Sequence, residues 1–282
     1  MKGVILAGGH GTRLYPITIP TSKQLLPIYD KPLIFYPLTT LIEAGIREIA
    51  IITKTKDQQS FYNLLGDGSK FGIKIEYFFQ DDPRGLAEAF IITEKFIGDS
   101  NVTLILGDNL FYGESFVNIL KEDFKNGARI FCSKVLDPER YGVLEIKNNK
   151  PVSLVEKPTK FISPWAVTGI YTYDSSVIKK AKMLKPSGRN ELEITDLNKE
   201  YMKDGSLDSK FFDQSVIWMD TGTFESMKDA SEFISAIQKR QDILVGSPEL
   251  AAYKNKWVTK KDIEKSLNYS NQYTNTLLRL ID

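Results

Sequence analysis

Residues 3–27 read GVILAGGHGTRLYPITIPTSKQLLP, and the first third of that stretch decides the fold. Val4 to Ala7 is a short unbroken apolar run, the pattern of a strand buried on both faces. It stops at Gly8, Gly9 and Gly11, which permit a tight turn and let backbone N–H groups close around an anion. Thr12 and Arg13 follow, with Lys23 further on, and the two cations suit phosphate oxygens. Alone, the segment is a phosphate or nucleotide cradle, a tight strand–helix connection, or a site for another ligand. Two familiar phosphate loops do not fit. A P-loop ends in Gly-Lys-Ser/Thr, which is absent. The dinucleotide fingerprint G-x-G-x-x-G begins at Gly9 and Gly11 but meets Leu14 at its third glycine position, and the strand-like run Ile49–Ile52 leads into Thr53 and Lys54, not an acidic residue.

Outward from this loop, strand and helix patterns alternate. Helical spacing covers residues 32–44, 58–65, 85–96 and 114–126; strand-like runs cover residues 49–52, 73–79, 102–106 and 128–135. This predicts an α/β fold with a Rossmann-like, mainly parallel or mixed sheet flanked by helices. Ligands of such sheets bind beyond the carboxyl ends of the strands, where both Gly8 and Asp108 fall. The second half is less regular. Residues 141–146 and 151–156 read as a hairpin around Lys147-Asn148-Asn149-Lys150, and 167–173 and 210–217 as strands. Residues 191–202 and 224–240 read as helices, and a helical tail follows Gly246-Ser247-Pro248. We expect a nucleotide-binding portion over 1–135, a sugar-phosphate-binding portion over 136–245 within the same core, and a helical C-terminal region over 246–282 that serves assembly.

Composition narrows the classes. With 37 basic and 36 acidic side chains the formal charge is +1, so no nucleic-acid-binding surplus and no polybasic membrane patch is visible. Cys132 is the only cysteine, which excludes an intrachain disulfide and disfavours structural zinc; His10 is the only histidine, which leaves no second one for a Ser-His-Asp triad. No apolar run is long enough to span a bilayer, and the first residues carry no signal-peptide-like region. A soluble, cytoplasmic protein without nucleic-acid or membrane partners is expected.

The pattern GGxGTRLxPxTxxxSKxxLP, here residues 8–27, resembles the signature of sugar-1-phosphate nucleotidyltransferases, the nucleotide-diphosphate-sugar pyrophosphorylases. The longer run SKQLLPIYDKPLIFYPLTTLIEAGIREI is most similar to their glucose-1-phosphate thymidylyltransferase branch. The resemblance continues in order through LLGDGSKFGI, GLAEAF, LILGDNLFYG, YGVLEI, VEKP, AVTGIYTYD, GRNELEITDLN and WMDTGT, covering most of residues 1–245. It implies attack by a glucose 1-phosphate oxygen on the α-phosphorus of dTTP, giving dTDP-glucose and pyrophosphate. It also implies a homotetramer.

A sugar phosphate is already an anionic nucleophile, so positioning and charge stabilisation are the main demands. By resemblance Arg13, Lys23 and Lys157 are the catalytic cations: the first two at the triphosphate, the third at the sugar phosphate. Asp108 and Asp220 are the implied Mg²⁺ ligands, hard carboxylate oxygens that suit that ion. Leu6, Gly8, Gly9, Gly11, Thr12, Gln24, Gln80, Gly85 and Leu86 complete the implied nucleotide site, with the two glutamines on the base. Asn109, Tyr141, Gly142, Glu156 and Val167 match positions around the hexose. Glu191 and Glu193 either orient neighbouring groups or simply begin a helix. His10 stands where serine or alanine is common, and no catalytic role is assigned to it. Asn190 stands where glycine is commoner before Glu-Leu-Glu, Trp165 where a smaller aromatic is commoner, and the tail from residue 268 lacks the family's usual Tyr-Gly pair. Two other readings stay open: a glucose-1-phosphate nucleotidyltransferase that prefers UTP or accepts both nucleotides, and a noncatalytic sugar-nucleotide sensor.

Overall fold

Apolar runs that alternate with helices become neighbouring strands of one sheet in the computed structural model, which describes residues 1–282 except Asn149 and Asn268. The turn of the expected hairpin therefore lies partly outside the described residues. The strands are β1 (Lys2–Leu6), β2 (Pro27–Ile28), β3 (Lys31–Pro32), β4 (Glu48–Thr53), β5 (Lys74–Phe79), β6 (Val102–Leu106), β7 (Asn109–Tyr112), β8 (Ala128–Lys134), β9 (Gly142–Lys147), β10 (Lys150–Glu156), β11 (Trp165–Tyr173), β12 (Leu207–Phe211) and β13 (Ile217–Asp220).

β5, β4, β1 and β6 lie side by side in parallel. Residues of β4, β1 and β6 are buried almost without interruption because helices cover both faces, while the edge strand β5 is only partly buried, and each fully buried Ile, Val or Leu contributes about 1.5–3 kcal/mol. β11 then runs antiparallel to β6 on one edge and to β8 on the other, with β12 parallel beyond β8. At Ala166 the partners are Ser133 of β8 and Val143 of β9; at Tyr171 they are Ile130 of β8 and Leu104 of β6. β6 and β9 thus share the edge of β11 that β8 leaves free. Between the end of β6 and the start of β9 that edge is unpaired, and the β8–β11 register slips there, between Val167 and Tyr171. This fork opens the cavity described below.

The helix Phe35–Glu43 is buried nearly all round, lying between β1, β6, β7 and the C-terminal helix Pro248–Lys254. The tail forms three helices, Pro248–Lys254, Lys260–Ser266 and Gln272–Leu280, N-capped by Ser247, Thr259 and Asn271. Leu250, Ile263 and Leu277 from these helices share one apolar cluster with Ile5, Phe35 and Ile105. No helix among the described residues is long and apolar enough to cross a membrane.

Four segments differ from the sequence expectation, each for a local reason. Residues 85–96 give two short helices, Glu88–Ile92 and Glu94–Ile97, because buried Thr93 donates its hydroxyl to the Ala89 carbonyl (2.6 Å) and breaks the turn. The helix from Glu114 stops at Leu120, where the Arg129 guanidinium takes the carbonyls of Glu122 (3.1 Å) and Asp123 (3.0 Å) that a longer helix would use. The helix expected from residue 191 starts at Ile194, since Leu192 is tied by backbone hydrogen bonds to Arg84 and Ala87. Residues 210–217 do not form one strand: the Ser215 N–H donates to Asp213 Oδ1 (2.7 Å) in a turn that separates β12 from β13. The helix Val177–Met183 was not evident in the periodicity.

Candidate active site

β1 ends and the chain turns through Gly8–Thr12. Gly8 is buried against Gln80, whose carbonyl oxygen lies 3.1 Å from where a Cβ at Gly8 would sit. Gly11 has φ +63°, which L side chains rarely adopt, and its carbonyl accepts from Thr18 Oγ1 (2.7 Å). None of the backbone N–H groups from Gly8 through Arg13 finds an acceptor among the described residues. Consecutive unpaired N–H groups form an anion-binding concavity. Arg13, at the start of the 3₁₀ turn Thr12–Leu14, carries its guanidinium across to Gly222; Nη2 lies 2.8 Å from the position of a Cβ there.

Across the sheet, β6 ends at Leu106 and Asp108 follows. Its carboxylate pairs with the buried Lys23 ammonium and accepts from Asn109 Nδ2 (3.0 Å). Burial works to raise the Asp108 pKa, but the Lys23 charge and these hydrogen bonds outweigh it and hold the carboxyl below its ordinary value. β7 and β13 pair antiparallel with Asn109 opposite Asp220, bringing together two aspartates far apart in sequence. Burial, and next the Asp108 charge, push the Asp220 carboxyl up to about 6, against the pull of Lys23, Arg13 and Arg140. Asn109 is buried and its amide oxygen is doubly used, accepting from the Gly169 N–H (3.1 Å) and from Trp218 Nε1 (2.6 Å).

The fork holds a cavity of about 330 Å³ whose walls include Arg13, Leu86, Asp108, Asn109, Tyr141, Gly142, Glu156, Lys157, Val167 and Asp220. Arg13, Lys157, both metal candidates and the hexose candidates, from six separate stretches of sequence, therefore meet in one space, with Lys23 joined to it through Asp108. Lys157 sits just past β10 with φ +44°, held by its N–H to the Tyr141 carbonyl (2.9 Å). Glu156 accepts from Thr195 Oγ1 (2.6 Å), which fixes the wall beside Gly142.

Of the base-side candidates only Leu86 is a wall of that cavity; Leu6, Gln24, Gln80 and Gly85 lie outside its lining. Gln24 is buried, with Oε1 accepting from Ser22 Oγ (2.7 Å), and Gln80 Nε2 donates to Glu88 Oε2 (2.7 Å). Leu6 joins the strand ends through its carbonyl, which accepts from the Gly107 N–H (2.9 Å). At Gly85, φ is +102° and the space a side chain would take is filled by the Leu192 backbone, 2.3 Å away. Gly9 and Thr12 are exposed at the loop tip.

Sequence reasoning missed several cavity residues. Arg140 and Trp218 flank Tyr141, the Trp218 ring 4.9 Å from it. Arg189 donates to Glu193 (2.9 Å) and reaches Glu156 (3.4 Å), so Glu193, buried, begins the helix and also anchors this arginine. Asn190 has φ +60°, so it keeps the conformation that glycine adopts most readily and asparagine next. The aromatic and basic neighbours of Tyr141 and Glu191 were the available signal for Arg140 and Arg189. Trp165 stacks edge-on against Phe211 at 4.8 Å, outside the cavity.

A mixed sheet with a loop of unpaired N–H groups at one strand end and paired carboxylates at the next suits transfer between phosphates. Residues 2–237 match the family model described as nucleotidyl transferase, and the chain belongs to that family. Within it, the chain is 51% identical to a Neisseria gonorrhoeae glucose-1-phosphate thymidylyltransferase, covering 100% of this chain and 99% of the relative. It is 47% identical to the enzyme of that name from Mycolicibacterium smegmatis, again over 100% and 99%. A crystal structure from Bacillus anthracis in complex with a sucrose superposes with TM-score 0.77 at 42% identity, covering 83% of this chain and 94% of that one. A UDP-glucose pyrophosphorylase complexed with UDP-glucose superposes with TM-score 0.74 at 26% identity, over 85% and 99%.

Proposed function

We propose that the chain transfers a thymidylyl group from dTTP to α-D-glucose 1-phosphate, the reaction its full-length relatives are named for. The observation that carries the reading is the convergence of Arg13, Asp108, Asp220 and Lys157 on one cavity, with Lys23 paired to Asp108 and the free N–H run leading into Arg13. A phosphate oxygen of the sugar phosphate bonds to the α-phosphorus as the α–β bridging oxygen leaves with pyrophosphate. No proton needs to move, so the residues act by charge and position. Lys157 orients the sugar phosphate, the Gly8–Arg13 N–H groups and Lys23 hold the triphosphate, and Arg13 stabilises the leaving pyrophosphate. Gln24 and Gln80 address the base from the side of Gly8.

Asp108 and Asp220 would hold a Mg²⁺ ion. The fit rests on their adjacency across β7 and β13 and on the raised Asp220 carboxyl, pushed up by burial first and by the Asp108 charge next, a charge that a cation would offset. When bound, the ion would supply positive charge at the α-phosphate, where two carboxylates leave room for phosphate and water oxygens. The portions 1–135, 136–245 and 246–282 keep their proposed nucleotide, sugar-phosphate and assembly roles. Homotetramer formation and a cytoplasmic location belong to the same proposal.

The test is pyrophosphate release with and without Mg²⁺ and glucose 1-phosphate, comparing kcat/KM for dTTP, UTP, ATP and CTP. Release that needs both additions and is fastest with dTTP is expected. A clear preference for UTP overturns the thymidylyl assignment, and nucleotide binding without turnover favours the sensor.

A further inference from the structure

The turn after β4 reaches the glycine loop from the side away from Asp108. Sheet order β4–β1–β6 puts Lys54, Gly8 and Asp108 just beyond three successive strand ends. Lys54 Nζ is hydrogen-bonded to His10 Nδ1 at the loop tip. A lysine ammonium can only donate, so in this contact the imidazole nitrogen is the acceptor. The turn itself is fastened on both flanks. Thr55 gives its N–H and hydroxyl to the two carboxylate oxygens of Asp81 (2.8 and 2.7 Å), and Lys56 Nζ donates to the Ile19 carbonyl (3.4 Å). The remaining two Lys54 N–H donors meet no acceptor among the described residues. Burial, and then the neighbouring Lys56 charge, draw the Lys54 pKa below its ordinary value, while Asp57, Asp81 and Asp82 draw it back. An anion on the open side of this ammonium would relieve that tension.

We propose that Lys54 is a further phosphate-contacting residue, taking the distal phosphate of the nucleotide, and that His10 is the positioning residue that delivers it. The proposal rests on the nucleotidyl-transfer reading for the direction of the triphosphate. With the α-phosphate beside Asp108 and Asp220, the next two phosphates run along the free N–H groups of Gly8–Arg13 toward the β4 side. There the loop tip carries His10, and Lys54 is the cation bonded to it. The terminal phosphate leaves with pyrophosphate and is absent from dTDP-glucose, so Lys54 discriminates between those two products.

The experiment compares wild type with Lys54→Gln, Lys54→Arg, His10→Ala and His10→Asn, using Lys228→Gln on an exposed helix face as a charge control. Forward KM for dTTP, reverse KM for pyrophosphate and for dTDP-glucose, and calorimetric Kd for inorganic tripolyphosphate are measured at fixed ionic strength. Loss of one charge-assisted contact should raise the dTTP and pyrophosphate KM and the tripolyphosphate Kd about tenfold in Lys54→Gln, with dTDP-glucose KM and kcat held within about twofold. Lys54→Arg and Lys228→Gln should stay near wild type, and His10→Asn, which keeps an acceptor, nearer to it than His10→Ala. Equal KM effects on pyrophosphate and dTDP-glucose, or none on dTTP, would overturn the proposal. If wild type turns over no nucleotide, the functional reading fails by itself, and the tripolyphosphate titration still decides whether Lys54 contacts phosphate.

Discussion

Replacing Gly222 with alanine should disable the site while leaving the fold intact. A Cβ at Gly222 would lie 2.8 Å from Arg13 Nη2 and 3.1 Å from both Cζ and Nη1, and these are its three nearest neighbours. Ordinary contact begins near 3.5 Å, so the guanidinium must retreat by about 0.7–1 Å. Gly222 does not lie in the left-handed region, so alanine adds no backbone strain there. Arg13 is exposed and swings away at little conformational cost, and the loss of a glycine even stabilises the chain by about 0.4–1 kcal/mol. The reaction does not share that tolerance. A displacement of about 1 Å of a positioning group costs on the order of 10²-fold in rate, or about 2.7 kcal/mol in the barrier. Steady-state pyrophosphate release should therefore show kcat/KM down about 30- to 100-fold, beside an unchanged or slightly raised Tm. In an Arg13→Ala background the same substitution should add nothing, because its effect runs through the guanidinium. Gly222→Ala with kcat/KM within about threefold of wild type, or an equal loss in both backgrounds, would refute the reasoning.

Other substitutions test the remaining contacts. Asp220→Asn should unfold at higher temperature than wild type at pH 7 in chelator, and should lose turnover when both are assayed with Mg²⁺. The folded pKa of Asp220, about 6, stands above its ordinary 3.8, so the penalty is absent below pH 3.8, grows as pH rises and is complete above pH 6. That penalty is on the order of 1–3 kcal/mol, and equal melting of the two proteins across this window would contradict it. Asn109→Ala strands the Gly169 N–H and the Trp218 Nε1–H, each worth about 1–3 kcal/mol when buried, and urea unfolding should show a loss of at least about 2 kcal/mol. Gly85→Ala meets the Leu192 carbonyl at 2.3 Å with φ at +102°, and should lower Tm by at least about 5 °C; an unchanged melt would show that the backbone yields there.

Local chemistry was legible in the sequence, and pairing across distance was not. The glycine loop, the strand ending before Asp108 and the parallel apolar strands could be read because each is set by neighbours in the chain. The helix limits at Leu120 and Ile194 could not, since Arg129 and the Arg84–Leu192 contact are set by tertiary structure. The same is true of Lys54, which has no partner nearby in sequence and meets His10 only because β4 lies beside β1.

The sharpest case is the aspartate pair. Asp220 reaches Asp108 only in the register that sets it opposite Asn109, and a slip of one residue would turn it to the other face of the β7–β13 ribbon. β7 is largely buried but β13 is only partly buried along its four residues, so burial fixes that register weakly from the β13 side and side chains do the rest. Thr221 gives both its N–H (3.0 Å) and its hydroxyl (2.8 Å) to the Asp108 carbonyl, and Trp218 gives its indole N–H to Asn109. Three hydrogen bonds thus pin the strand end from which Asp220 projects. Thr221, flanked in sequence by Asp220 and Gly222, reads there as an ordinary turn residue; in the fold it locks the register that makes two separate aspartates one charged centre.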